Sequence, residues 1–172
     1  VTSGYAPLGG VIASDRLAAP FLEGDGSVLM HGLTFGGHPV SCAVALANLE
    51  VMEREDILGN VRRNAPLFRE RIDSLLDLPI VGDVRGLGVF WAIELVRNRD
   101  TREMFVPFNA AGEAAKPMND LVAACKARGL WPFTHFNRIH VVPPCTTSEA
   151  DLRTGIAILD EALNIADKHY VG

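Results

Sequence analysis

A run of turn residues closed by a proline constrains this chain more than any other feature. Phe21 to Pro39 is rich in glycine and turn formers, and it ends Gly36-Gly37-His38-Pro39. Proline has no N–H to lose and a φ already near the helical value, so it suits a helix's first turn. The next residues, V-S-C-A-V-A-L-A-N-L-E-V-M-E-R from Val40 to Arg54, carry Ala and Leu throughout and small residues on several faces. This predicts a long helix buried on most sides rather than along one stripe. Within the turn, the Thr34 hydroxyl can donate to a phosphate oxygen while neighbouring N–H groups serve the same anion. The alternative is a threonine that satisfies its own turn.

The opening, Val1 to Ser14, reads as turn residues and then a short apolar β-type run, with Ser14 a helix N-cap. The chain starts mid-turn without an initiator Met, which predicts a piece of a longer protein. Asp56 to Leu78 has helical apolar spacing, with a kink or break expected at Pro66 and an end at Pro79. Ile80 to Val96 is β-rich, and Gly86 and Gly88 mark a bend or a close backbone approach. Arg97 to Pro107 reads as a loop, and Glu113 to Arg128 as a helix stopped by Gly129. Leu130–Thr134 and Arg138–Val142 read as two strands around His135-Phe136-Asn137, ended by Pro143-Pro144. A last amphipathic helix spans Ser148 to Tyr170, capped by Thr147 or Ser148. The fold class is therefore α/β at the start and α+β at the end.

Composition narrows the function. With 172 residues, 48% hydrophobic and 22% charged, the chain can bury a real core. A formal net charge of −5 leaves no basic surface for nucleic acid. No apolar run approaches the ~20 residues of a membrane-spanning helix, and the start lacks a signal-peptide pattern, which predicts a cytoplasmic protein. Cys42, Cys125 and Cys145 are widely spaced and form no C-x-x-C, so they read as small core or surface residues; no metal site is expected.

Four segments occur in an order that resembles the class III, pyridoxal-phosphate-dependent aminotransferases of fold type I. T-S-G-Y-A-P-L-G-G resembles the segment after the cofactor-bearing lysine, and H-G-L-T-F-G-G-H-P the phosphate-contact turn. D-V-R-G-L-G-V-F-W-A-I-E-L and V-V-P-P-C-T-T-S-E-A-D-L follow at matching places. The likeness is nearest to taurine–pyruvate and ω-amino acid–pyruvate aminotransferases, through G-L-W-P-F-T-H-F-N-R-I-H-V-V-P-P. It implies the C-terminal portion of such a transferase. Residues 1–55 would be the end of the large cofactor-binding domain with its long connecting helix, and 56–172 a small α+β domain.

The resemblance also implies a chemistry. The cofactor would be pyridoxal 5'-phosphate, the substrates an amine donor and a keto acid, and the assembly a homodimer. Thr34 would reach the partner subunit's cofactor, with Leu33 close by. The cofactor-bearing lysine would stand just before Val1, so no catalytic residue is expected in this chain. Lys116, Lys126 and Lys168 lie in helical stretches among other charges and are assigned to solvated surface. Several members of the family place a carboxylate-gripping arginine three residues before Pro-Pro, where this chain has His140. Arg138 lies two residues earlier and, by strand alternation, could face the same side. This departure is compatible with an ω-amine or sulfonate donor. Gly36 and Gly37 are expected to shape the turn and His38 to hydrogen-bond locally. Arg85 is read as a buried arginine tying backbone carbonyls, and Trp91 as packing. Two alternatives remain: an isomerase or decarboxylase of the same fold, and a non-catalytic binding or assembly module.

Overall fold

The computed structural model describes residues 1–23 and 27–172, which divide into two compact units, Val1–Asp56 and Ile57–Gly172.

In the first unit, α1 spans Asp15–Leu22 and α2 spans Pro39–Arg54, with Pro39 in the first turn of α2. Thr2 donates from Oγ1 to the Ala6 carbonyl at 2.6 Å and is buried. Asn48 of α2 holds the opening turn, accepting from Ser3 Oγ at 2.8 Å and donating to the Val1 carbonyl at 2.9 Å. The expected β run before Ser14 forms no strand: Val11 and Ile12 are fully exposed, and no described strand of this unit pairs with them. A strand exists by its pairing, so an apolar run without a neighbour stays irregular. Ser14 has extended cap geometry but makes no side-chain cap bond. The expected burial of the long helix is also missing, since only Ser41 and Ala45 of α2 are buried.

The second unit opens with α3, Ile57–Asp73, which runs through Pro66 without interruption. Proline removes the bond to the Arg62 carbonyl, but both residues are exposed and water can take that acceptor. A 3₁₀ turn, Ser74–Asp77, leads into β1, Val81–Leu87, and the hairpin partner β2, Phe90–Asn98. A register shift between Val81 and Asp83 lets Val81 and Val84 both face the core strand residues Leu95 and Ile93. The expected loop after Arg97 is partly strand: β2 continues to Asn98, and β3, Glu103–Met104, pairs with it. After α4, Lys116–Ala127, Gly129 takes φ +89°, then β4, Phe133–His135, and β5, Arg138–Val141, close the sheet in the order β1-β2-β5-β4. The connection is two residues, Phe136 and Asn137, one shorter than expected, because His135 pairs with Arg138.

One sheet face carries Ile93, Leu95 and Ile139, all fully buried in a core with Phe68, Leu121, Leu159 and Leu163 from the helices. Each such side chain contributes roughly 1.5–3 kcal/mol relative to exposure. Arg99 fastens the entry to β1: its Nη2 donates to the carbonyls of Leu76, Leu78 and Val81 at 2.5, 2.7 and 2.8 Å.

The last helix, α5, spans Glu149–Ala166, and the Asp151 N–H donates to Ser148 Oγ at 3.1 Å. Of the two caps expected, Ser148 is the one used. Ser148→Ala is expected to cost about 1 kcal/mol, the usual worth of an N-cap. Urea unfolding should show a lower midpoint at an unchanged slope.

Candidate functional site

Thr34 lies in the turn that delivers the chain to α2. Gly36 N–H donates to the Leu33 carbonyl at 2.9 Å and His38 N–H to the Phe35 carbonyl at 3.2 Å, with Gly37 at φ +68°. Thr34 is exposed, and its hydroxyl makes no hydrogen bond among the described residues. The alternative of a threonine satisfying its own turn is therefore not what the geometry shows. The first intrahelical bond runs from Cys42 N–H to the His38 carbonyl, so among the described residues the N–H groups of Val40 and Ser41 have no acceptor at the positive end of the helix. Leu33 is 75% exposed beside it. His38 makes no side-chain cap bond and instead stands edge-on to Phe35, with ring centroids 6.3 Å apart.

The second set of residues lies on the sheet face opposite the core. The pairs Asp83↔Glu94, Arg85↔Ala92, Glu94↔Arg138, Ala92↔His140, Phe133↔His140 and His135↔Arg138 put all these side chains on that face. Arg138 and His140 do share a side. Arg138 donates from Nη2 to His135 Nδ1 at 3.1 Å. Arginine can only donate, so His135 carries its proton on Nε2. Phe133 and His140 have ring centroids 5.2 Å apart. His140 also lines a cavity of about 350 Å³ with Trp131, Phe133, Pro143, Thr147 and Leu152.

Arg85 departs from expectation. It is exposed and ties no carbonyl, and it pairs instead with Asp83 and, at 2.5 Å, with Glu94. On the open face it stands between two carboxylates, which a guanidinium binds more strongly than neutral carbonyls. The arginine that ties backbone carbonyls is Arg99, for which the sequence offers no signal within a polar stretch. Glu94 is held below the usual carboxylate range by its bond to Arg85, against its partial burial, and with help from Asn137 and the charge of Arg138. Partial burial, and then the nearby charge of Arg138, push His140 below the ordinary imidazole value.

Trp91 is 3% exposed and donates from Nε1 to the Gly88 carbonyl at 2.8 Å, a packing residue as expected. Lys116 pairs with Asp120 at 2.5 Å, and Lys126 lies 3.8 Å over the Trp131 ring. Cys125 is buried, Cys42 half-buried and Cys145 exposed. Among the described residues no helix is long and apolar enough to cross a membrane.

The profile of the family Aminotransferase class-III matches residues 1–163. A probable aminotransferase of Mycobacterium tuberculosis is 42% identical over 174 residues, covering 99% of this chain and 36% of that protein. The putrescine–pyruvate aminotransferase of Pseudomonas aeruginosa is 42% identical over 106 residues, covering 61% of this chain and 23% of its own. The crystal structure of taurine:2-oxoglutarate aminotransferase from Bifidobacterium kashiwanohense, in complex with pyridoxal phosphate and glutamate, superposes with a TM-score of 0.82. It is 28% identical, with 99% of this chain and 37% of that chain covered. The fold is thus that of the fold-type-I transaminases, of which this chain spans about a third of the length. The chain belongs to the class III aminotransferases.

Proposed function

We propose that the whole protein is a pyridoxal-phosphate-dependent aminotransferase. It moves an amino group from an ω-amino acid, taurine or a related amine to pyruvate or another keto acid, as a cytoplasmic homodimer. The observation that carries this reading is the Thr34 turn: an exposed hydroxyl with no partner among the described residues, in the turn that leads into a helix whose Val40 and Ser41 N–H groups have no acceptor among them. These groups fit a phosphate, because they are donors without acceptors at the positive end of a helix. When bound, the cofactor supplies the electron sink that amino-group exchange requires.

The residues of this chain then bind and orient. Thr34 donates from its hydroxyl to a phosphate oxygen of the partner subunit's cofactor, and Leu33 packs beside it. Arg138 and His140 face the substrate. Lys116, Lys126 and Lys168 have no part, so the 172-residue chain alone is inactive. The names of the taurine and putrescine aminotransferases among its relatives support the donor range.

The test uses the complete enzyme with taurine, β-alanine and putrescine, each with and without pyruvate. Amino transfer should appear only with the keto acid, with alanine formed as donor is consumed, and the 172-residue chain should give none. Product formed without an acceptor would replace this reading with a decarboxylase or an isomerase.

A further inference from the structure

Asn60 and Asn64 stand one turn apart on α3, and their amides converge on one loop far along the chain. Asn60 Nδ2 donates to the carbonyls of Cys145 and Thr147 at 2.8 and 3.1 Å. Asn64 Nδ2 donates to Asn60 Oδ1 at 3.2 Å and, more weakly, to the Thr147 carbonyl at 3.5 Å. Asn64 is buried and Asn60 half-buried, and an amide out of water is costly unless its donors are used.

The loop needs donors from outside. The chain leaves β5 at Val141 and enters α5 at Glu149, and in between Pro143 and Pro144 bring no N–H. The loop's own bonds close one turn, from the Thr147 N–H and Oγ1 to the Pro144 carbonyl at 2.9 and 2.7 Å. Of the carbonyls that this turn leaves over, the asparagines take those of Cys145 and Thr147.

The same loop is a wall. Pro144 and Thr147 line the cavity of about 350 Å³ together with Trp131, Phe133, His140 and Phe68. Phe68 follows Asn64 by one turn, so one stripe of α3 supplies a lining side chain and also ties down the loop. Phe133 and His140 are fixed by the sheet, whereas Pro144 and Thr147 are fixed through the asparagines. The width of the cavity therefore depends on those amide contacts.

We infer that Asn60 and Asn64 are positioning residues that set the size of the amine donor: by holding residues 143–147 against α3 they keep the cavity to short donors and exclude bulky ones. This rests on the aminotransferase reading above, in which His140 faces the substrate, and it puts a determinant of donor choice outside the cavity lining.

The experiment uses the complete enzyme loaded with its cofactor. It compares 4-phenylbutylamine with whichever of taurine, β-alanine and putrescine the wild type uses best, each with pyruvate. Asn60→Leu keeps the volume and removes both donors to the loop. The ratio of kcat/KM for 4-phenylbutylamine to that for the short donor should rise about ten-fold, the scale of two neutral hydrogen bonds. kcat with the short donor and KM for pyruvate should stay within about two-fold. Asn64→Leu removes the weaker support and should shift the ratio the same way by less. Cys125→Ala, a truncation in the core on α4, should lower stability and leave the ratio where it is. In parallel, hydrogen exchange reads the loop without any turnover: the Thr147 N–H should exchange about ten-fold faster in Asn60→Leu. A lowered stability with an unchanged donor ratio would make the asparagines merely structural and overturn the proposal. Unchanged Thr147 exchange would overturn it as well. If the wild type transfers no amino group from any of the donors, the aminotransferase reading fails and the donor-size role with it, while faster Thr147 exchange in Asn60→Leu keeps the loop clamp.

Discussion

Gly86→Ala is expected to destabilise the protein by about 3 kcal/mol or more, at or beyond the upper end of ordinary overpacking. A Cβ at this position would lie 2.3 Å from the Phe90 carbonyl oxygen and 2.6 Å from two atoms of the Trp91 ring. The carbonyl is backbone of the paired strand and cannot step aside without opening the hairpin. The ring is buried against the core, and its Nε1 is committed to the Gly88 carbonyl, so it cannot swing away without losing both packing and a hydrogen bond. Gly88 is the control. It sits at φ +60°, and an added methyl there would meet only Val61 Cγ1, at an ordinary contact distance of 3.4 Å. Gly88→Ala therefore meets conformational strain alone, worth about 1 kcal/mol. Urea unfolding of both variants should separate them by about 2 kcal/mol. Equal losses would mean that the strand pair relaxes around the added methyl.

The two glycines show what was legible in the sequence. A glycine pair inside a β-rich run signals a turn or a close approach, and it supplies both: Gly88 turns the chain and Gly86 lies under a ring. Helix ends marked by Pro39, Gly129 and Ser148 were equally readable, because each is local chemistry. What failed depended on neighbours. Val11 and Ile12 have strand character but no described partner in their unit. Pro66 has breaker character but faces water, where the lost bond is cheap. Glu103 and Met104 have no strand pattern, yet β2 extends far enough to pair with them.

The candidate site divides in the same way. The turn that holds Thr34 could be placed ahead of a helix because glycines closed by a proline are a local arrangement, while the phosphate role proposed for its hydroxyl comes from the resemblance. Arg138 and His140 could be put on one face by alternation, and they are. Three things could not be read: that Glu94 is claimed by Arg85, that His135 accepts from Arg138, and that Arg99 rather than Arg85 ties the carbonyls. Each is set by cross-strand register or by a contact between residues many positions apart. His135 in particular looked like part of a three-residue connection. Only the pairing with Arg138 makes it the end of a strand, with its ring on the open face.

Thr34→Ala in the complete enzyme is expected to lower cofactor affinity about ten- to a hundred-fold, since one charge-assisted hydrogen bond is worth roughly 1.5–3 kcal/mol. The hydroxyl has no other partner among the described residues, so folding stability should be nearly unchanged and the effect should appear in cofactor binding alone. Equilibrium dialysis of pyridoxal phosphate measures it. The proposed contact across the dimer has a sharper consequence. In a mixed dimer, one subunit carries Thr34→Ala and the other lacks the cofactor-bearing lysine. The only lysine-bearing site then belongs to the Thr34→Ala subunit. If the contact is made from the partner, that site receives an intact Thr34 and keeps near-normal affinity. If the contact is made within one subunit, the same site is as weak as in the Thr34→Ala homodimer. The two outcomes differ by the full effect of the single substitution, so a mixed dimer as weak as the homodimer would remove the partner-subunit role of Thr34 while leaving its phosphate contact intact.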